Sequence, residues 1–363
     1  MDPSTAAIRT VLAAASALLL FPGGAAQGGP PLKATTVAYA KGTVTSVAQD
    51  ATHVGWITTG DPSGCGTVVR IRDLIAKTQA AVTTKAGSSC SNEEPDDPIR
   101  ASRSLALFGA GEGIWIWSEY GNDSYHHLVH GNVGQSDKEI DQLTWSSSAA
   151  EYGLRTAGAG TTALIGWFWA DLNDECIGGD PGPAGCYDVV YEGGVKTATG
   201  AKVPGAKPAK MIAATDGLFA EVVAGTAGGK LSDGRTVEVR ALPSGNLIGQ
   251  FTASSPVLGV ALTHDVVVVR TAQKIERHKT TGEALSTIPV KFVKGTPGDV
   301  SASSAWIVYS VGSTIHAAPQ VGKTGLVFTP PNPWFGLSVN GKRVVWSEQT
   351  GKGKARIQSL LLP

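Results

Sequence analysis

The chain has 363 residues, 42% of them hydrophobic and only 17% charged, and its 30 basic side chains cancel its 30 acidic ones. Phosphate binding needs a surplus of Lys and Arg, so this balance argues against a nucleic-acid binder. The low charge together with 9 Trp, 7 Tyr and 8 Phe argues equally against disorder, and the length fits one large all-β domain as well as two smaller domains.

At the start, Arg9 precedes an apolar run from Val11 to Phe21, which gives way to Pro22, Gly23, Gly24 and Ala25-Ala26. This is the layout of a secretory signal peptide with cleavage expected after Ala26. Eleven apolar residues are too few for a hydrocarbon core of roughly 30 Å. Residues 1–26 are therefore expected to be a signal peptide and residues 27–363 a single secreted or periplasmic domain with no transmembrane segment. The four cysteines suit that compartment. Cys65 and Cys90 are 25 residues apart and Cys176 and Cys186 are 10 apart, each in a loop-like context. Of the three possible connectivities, local pairing is the simplest in an oxidising environment, and neither pair has the short spacing of a zinc site.

From residue 34 one phrase recurs: a weakly apolar strand, a tight turn, then a strongly apolar strand. The second strands run through His53–Thr58, Gly113–Glu119, Leu164–Ala170, Gly217–Val223, Asp265–Arg270, Ala305–Ser310 and Arg343–Glu348. Anchored at Trp56, Trp117, Trp169, Val223, Val269, Tyr309 and Trp346, they recur on average every 48 residues or so, a period that all-strand propeller blades share. Asp216-Gly217 and Asn340-Gly341 read as type I′ hairpin turns. Seven units follow, at about 42–99, 100–147, 148–209, 210–255, 256–295, 296–333 and 334–363. Units five and six are lean and unit three is long, so a six-bladed count stays open. The last unit lacks a strand, and residues 33–40 supply one with no partner in the first unit. Pairing the two would close the ring and remove two open sheet edges.

The phrase Asn340-Gly-Lys-Arg-Val-Val-Trp-Ser347, with Ala355-Arg-Ile-Gln-Ser-Leu360 after it, resembles one blade of the TolB-type and WD40-like β-propellers of exported bacterial proteins. The resemblance covers the chain from residue 27 onward as a pattern and implies an all-β propeller. The Gly-His and Trp-Asp dipeptides of WD40 repeats do not occur in it, so no functional residue carries over.

The remaining motifs are weighed by context. Trp115/Trp117 and Trp167/Trp169 each share a strand face, which could form an aromatic platform but is explained equally by burial between blades. His126 and His130 share a face while His127 points away, so the three do not converge on one metal without a bulge. Asp171, Asn173 and Glu175 place oxygen ligands at alternate positions, a spacing that can wrap calcium, although Cys176 stands where an EF-hand loop has Gly. Gly109-Ala-Gly-Glu-Gly113 runs into a strand, whereas a dinucleotide fingerprint opens a helix. Apart from calcium at that one segment, no cofactor or catalytic residue is indicated.

The charge neutrality is a sum of two unequal halves. Residues 1–190 hold 11 basic and 20 acidic side chains, a net of −9, and residues 191–363 hold 19 and 10, a net of +9. In a ring whose blades follow sequence order this becomes a lateral dipole able to orient a partner or a second copy. The sequence thus points to a non-enzymatic binding or scaffold module for a protein or cell-envelope ligand. The alternative is an extracytoplasmic hydrolase or lyase with its site at the channel mouth, which requires ionisable groups to converge there.

Overall fold

Strands whose two faces both meet other strands must be apolar throughout, and strands that face a channel on one side need not be. That contrast organises this chain. The computed structural model describes residues 32–59, 67–83, 104–121, 124–131, 138–146, 151–172, 189–224, 226–227, 230–231, 234–290, 293, 298–321 and 325–363. The cysteines, Asn173, Glu175 and the expected signal peptide lie outside them.

Strand β1 (Thr35–Lys41) precedes the first blade, which comprises β2 (Thr43–Gln49), β3 (His53–Thr59), β4 (Thr67–Asp73) and β5 (Gln79–Thr83). The second holds β6 (Leu105–Phe108), β7 (Glu112–Gly121), β8 (Ser124–Gly131) and β9 (Lys138–Ser146), and the third β10 (Glu151–Ala159), β11 (Thr162–Leu172) and β12 (Val189–Thr197). In the fourth, β13 (Ala209–Thr215), β14 (Leu218–Val223), β17 (Thr236–Ala241) and β18 (Leu247–Thr252) form the sheet, while β15 (Thr226–Ala227) and β16 (Lys230–Leu231) make a separate hairpin. The fifth contains β19 (Gly259–Leu262), β20 (Val266–Arg270), β21 (Lys274–Lys279) and β22 (Ala284–Pro289), and the sixth β23 (Val300–Ala302), β24 (Trp306–Val311), β25 (Thr314–Pro319) and β26 (Leu326–Phe328). The last holds β27 (Trp334–Asn340), β28 (Arg343–Gly351) and β29 (Lys354–Leu361).

β1 completes that last blade. It pairs antiparallel with β29 from Thr35↔Ser359 to Lys41↔Lys354, and Ala38 and Ala40 bury against Val44, Val47 and Trp56 of the first blade. The ring is thus closed by its own N-terminal strand, as the unpartnered segment at residues 33–40 leads one to expect. Among the described residues six sheets have four strands and the third blade has three. Their innermost strands β2, β6, β10, β13, β19, β23 and β27 each contact the next, the last returning to the first.

Among the described residues the core lies between blades, as seven apolar clusters, one at each seam. Ile57, Val69, Leu107 and Trp115 fill the first seam, and Val222, Val239, Val267 and Val269 fill the one between the fourth and fifth blades. β14, β20 and β24 are buried over nearly their whole length and β28 from Val344 to Glu348, so their apolar runs show no alternation. The hairpin turns depart from type I′, which needs positive φ at both central residues. In Asp216-Gly217 only Gly217 is positive, at 73°. In the last blade the two-residue loop is Gly341-Lys342, with Gly341 at 54° in its first position, as a type II′ turn requires.

The candidate site in the central channel

Seven innermost strands converge on the axis, and their small side chains leave a channel of about 730 Å³. Its walls are apolar or hydroxylic, with Ala48, Leu107, Ala213, Val260 and Leu262 beside Thr156, Thr215, Ser301 and Ser338. Among the described lining residues the ionisable side chains are Asp50, Asp216 and His264, all at the rim formed by the turns from first to second strands.

Asp50 is committed to structure. Its Oδ1 accepts the N–H of Thr52 at 2.7 Å and of His53 at 2.6 Å, and its Oδ2 accepts the N–H of Gly111 in the next blade at 3.0 Å. Arg343 of the last blade donates to the Asp50 carbonyl at 2.6 Å and to Gln49 Oε1 at 2.8 Å, so one turn ties three blades together at the rim. Gly111, with φ of 87°, sits where a Cβ would fall 2.7 Å from the His53 ring. The glycine cluster at 109–113 is therefore a turn packed against its neighbour. Asp216 covers Gly160, whose missing Cβ would lie 1.5 Å from Asp216 Oδ1. His264 is exposed beside Asp265, Nδ1 to Oδ1 3.2 Å.

The strongest electrostatics lie in the seams. On the side of the fourth blade that meets the third, Glu221 and Glu238 face each other across β14 and β17 and share Arg240, whose Nε donates to Glu221 at 2.7 Å and whose Nη2 donates to Glu238. Lys207 adds its N–H to Glu221 at 3.1 Å and its ammonium to Glu238. Burial pushes the Glu221 carboxyl up to about 7 against the pull of Arg240. In the next seam Glu276 touches His278 and accepts both the hydroxyl and the N–H of Ser254. Burial raises Glu276, but those donors outweigh it and hold the carboxyl below its usual range. Between the fifth and sixth blades Asp299 is lifted to about 6 by burial, partly offset by Arg270. In the last blade Glu348 takes both guanidinium donors of Arg356, at 3.1 and 2.7 Å, and the Trp346 indole N–H at 3.0 Å. Sequence reading passed over these groups, although a charged residue inside an apolar strand, as in Leu218-Phe-Ala-Glu-Val-Val223, was a usable signal.

The sequence candidates fall elsewhere. Trp115 is fully buried in the first seam. Trp167 and Trp169 pack on the cluster between the second and third blades, with Lys196 Nζ 5.8 Å from the Trp167 ring. His126, His127 and His130 lie on β8, which pairs without interruption with β7, the bulge against β9 being carried by β9. Asp171 is in β11, paired with Val190, and so belongs to a strand, not to the loop that the calcium spacing suggested. Among the described residues no group of three or more His, Cys, Asp or Glu is placed to hold a metal ion, and no helix is long and apolar enough to cross a membrane.

No family model and no curated protein matches the sequence. Solved structures do match in shape. BamB from Moraxella catarrhalis is 13% identical over 87% of this chain and 85% of its own, with a TM-score of 0.46. The Neurospora crassa Pan2 WD40 domain is 11% identical over 90% and 95%, with a TM-score of 0.50. A puromycin hydrolase mutant is 12% identical over 85% of this chain, with a TM-score of 0.50, and the chain spans about half of its length. Identities at this level speak to fold alone, and the fold they share with this chain is a β-propeller.

Proposed function

We propose that this chain is an exported binding or scaffold module, non-enzymatic, that holds a protein or cell-envelope partner through charge as well as shape. The observation that carries the reading is the order of the ring. Blades follow one another in sequence order, and the sequence sums to −9 over residues 1–190 and to +9 over residues 191–363. A rigid ring with opposed flanks steers a charged partner and fixes its orientation. The channel supports the same reading, since its rim carboxylate Asp50 is held by backbone N–H groups and Asp216 lies against Gly160. Export and the Cys65–Cys90 and Cys176–Cys186 staples belong to this proposal through the N-terminal segment and the redox chemistry it implies.

The test is capture of partners from envelope extract on the immobilised chain, with light scattering for self-association. Raising salt from about 20 to about 500 mM shortens the screening length from about 20 Å to about 4 Å. The expected result is association lost at high salt. Association that is absent throughout, or equal at both, overturns the proposal.

A further inference from the structure

The ring closes where β1 runs into β2, and beside that junction lies a groove of about 520 Å³ between the last and first blades, within the range of about 300–1,000 Å³ typical of ligand sites. Its floor is apolar and aromatic: Val44 from β2, and Pro333, Trp334 and Phe335 at the start of β27. Phe335 is 43% exposed, unusual for so large an apolar group on an innermost strand. A bulge explains it. The register of β27 against β28 slips between Phe335 and Ser338, Gly336 takes a φ of 70°, and a Cβ there would press on Val47 at 3.3 Å. Bulges re-aim side chains in this way. The walls are fixed, because Ser347 Oγ donates to the Phe335 carbonyl at 2.7 Å and the Gln349 N–H to the Pro333 carbonyl at 2.8 Å.

Among the described residues the rim carries one sign of charge. Lys352 lines the groove. Lys41 and Lys354 are register partners that flank the Gly42 N–H to Gly353 carbonyl bond of 2.9 Å at the same end. Among the described residues none of these lysines has a carboxylate partner. Glu348 of the same blade is buried and filled by Arg356, Trp346 and Asn332, so it does not neutralise them.

Resting on the reading that the chain binds proteins, we infer that this groove docks a short protein segment in which acidic side chains flank an aromatic or aliphatic one. The apolar side chain lies on Phe335 and Trp334 while its acidic neighbours meet Lys352, Lys41 and Lys354. Fluorescence anisotropy of the full chain with a labelled Asp-Glu-Phe-Leu-Asp-Glu peptide tests this. Binding is expected to weaken at least tenfold when Ala replaces Phe and Leu in the probe, and at least tenfold when Lys replaces its acids. Phe335→Ala and Lys352→Glu should each cause a similar loss, while Leu285→Ala, an exposed apolar site on β22, leaves binding unchanged. If Phe335→Ala does not fold by circular dichroism, Lys352→Glu decides alone. Equal binding of all three probes, or binding indifferent to the groove variants, overturns the inference. So does concentration-dependent dimerisation that Phe335→Ala abolishes, which would make a second copy the occupant. If extract capture persists in both groove variants, the groove falls and the binding-module reading stands; if the wild-type chain captures nothing at either salt, the broader reading falls.

Discussion

At Glu221 the side chain is fully buried yet has its hydrogen bonds, one from Arg240 and one from the Lys207 backbone. Burial still dominates its titration, lifting the carboxyl from 4.5 to about 7. A carboxyl raised in the folded state makes folding take up a proton, so its contribution is full below the unfolded value of about 4.5 and is lost as pH climbs through about 7. At about 1.4 kcal/mol per pKa unit, the change across that window is about 3 kcal/mol. Asp299, lifted to about 6, acts in the same direction. His316, lowered by burial, acts in the opposite one, so the wild-type profile mixes these slopes and the difference between variants isolates Glu221. Glu221→Gln should therefore gain stability relative to wild type by about 3 kcal/mol between pH 4.5 and 7.5, read from urea midpoints. A difference independent of pH would show that the carboxyl is not the titrating group. Glu221 stood out inside an apolar strand, but its partners were hidden in the sequence because the Glu-Val-Arg spacing at 238–240 reads as a solvated strand face. Only the third dimension shows that the face meets a neighbouring blade.

The second strands, β3, β7, β11, β14, β20, β24 and β28, were readable because each carries a run of apolar residues with little polar alternation, the pattern that cover on both faces demands. The first strands were faint for the converse reason: one side looks into the channel, where Ala, Ser and Thr suffice. The turn types escaped because Asp-Gly and Asn-Gly permit several geometries, and which residue takes positive φ is decided by packing. The N-terminal strand was legible by arithmetic, since it had no partner in its own unit and the last unit lacked one. Its burial suggests its weight. Deleting residues 33–41 removes a ladder that runs from Thr35↔Ser359 to Lys41↔Lys354, at about 0.5–1.5 kcal/mol per hydrogen bond, and uncovers Val44, Ala355 and Ile357. The shortened chain should lose at least about 3 kcal/mol in urea and aggregate through the bared edge of β29. A synthetic 33–41 peptide added in trans should recover part of the loss. An unchanged midpoint would mean that β1 is an ornament of the last blade and no clasp.

Closing the ring changes the cooperativity of the whole molecule. In an open array each repeat touches only its neighbours, so a terminal repeat detaches by breaking one interface. Here the seam between last and first blades holds Trp56, Val54, Val345 and Ile357 and resembles the other six, so removing any blade breaks two seams at once. Partial unfolding is correspondingly penalised, and the ring should melt as a unit even though the chain exceeds the size at which two-state behaviour is common. The seams differ in their reporters. Trp56, Trp115, Trp306 and Trp346 lie in the three seams spanning the sixth blade through the second, whereas the two clusters flanking the fifth blade contain no Trp. Tryptophan fluorescence therefore follows one arc of the ring, and far-UV circular dichroism follows every strand. The two signals should give one coincident urea transition for the full chain. In the chain lacking residues 33–41 they should separate, fluorescence leading, because the freed seam holds Trp56 and the seams on either side of it hold Trp306, Trp346 and Trp115. If they separate in the full chain as well, the blades unfold singly and the clasp does not couple them.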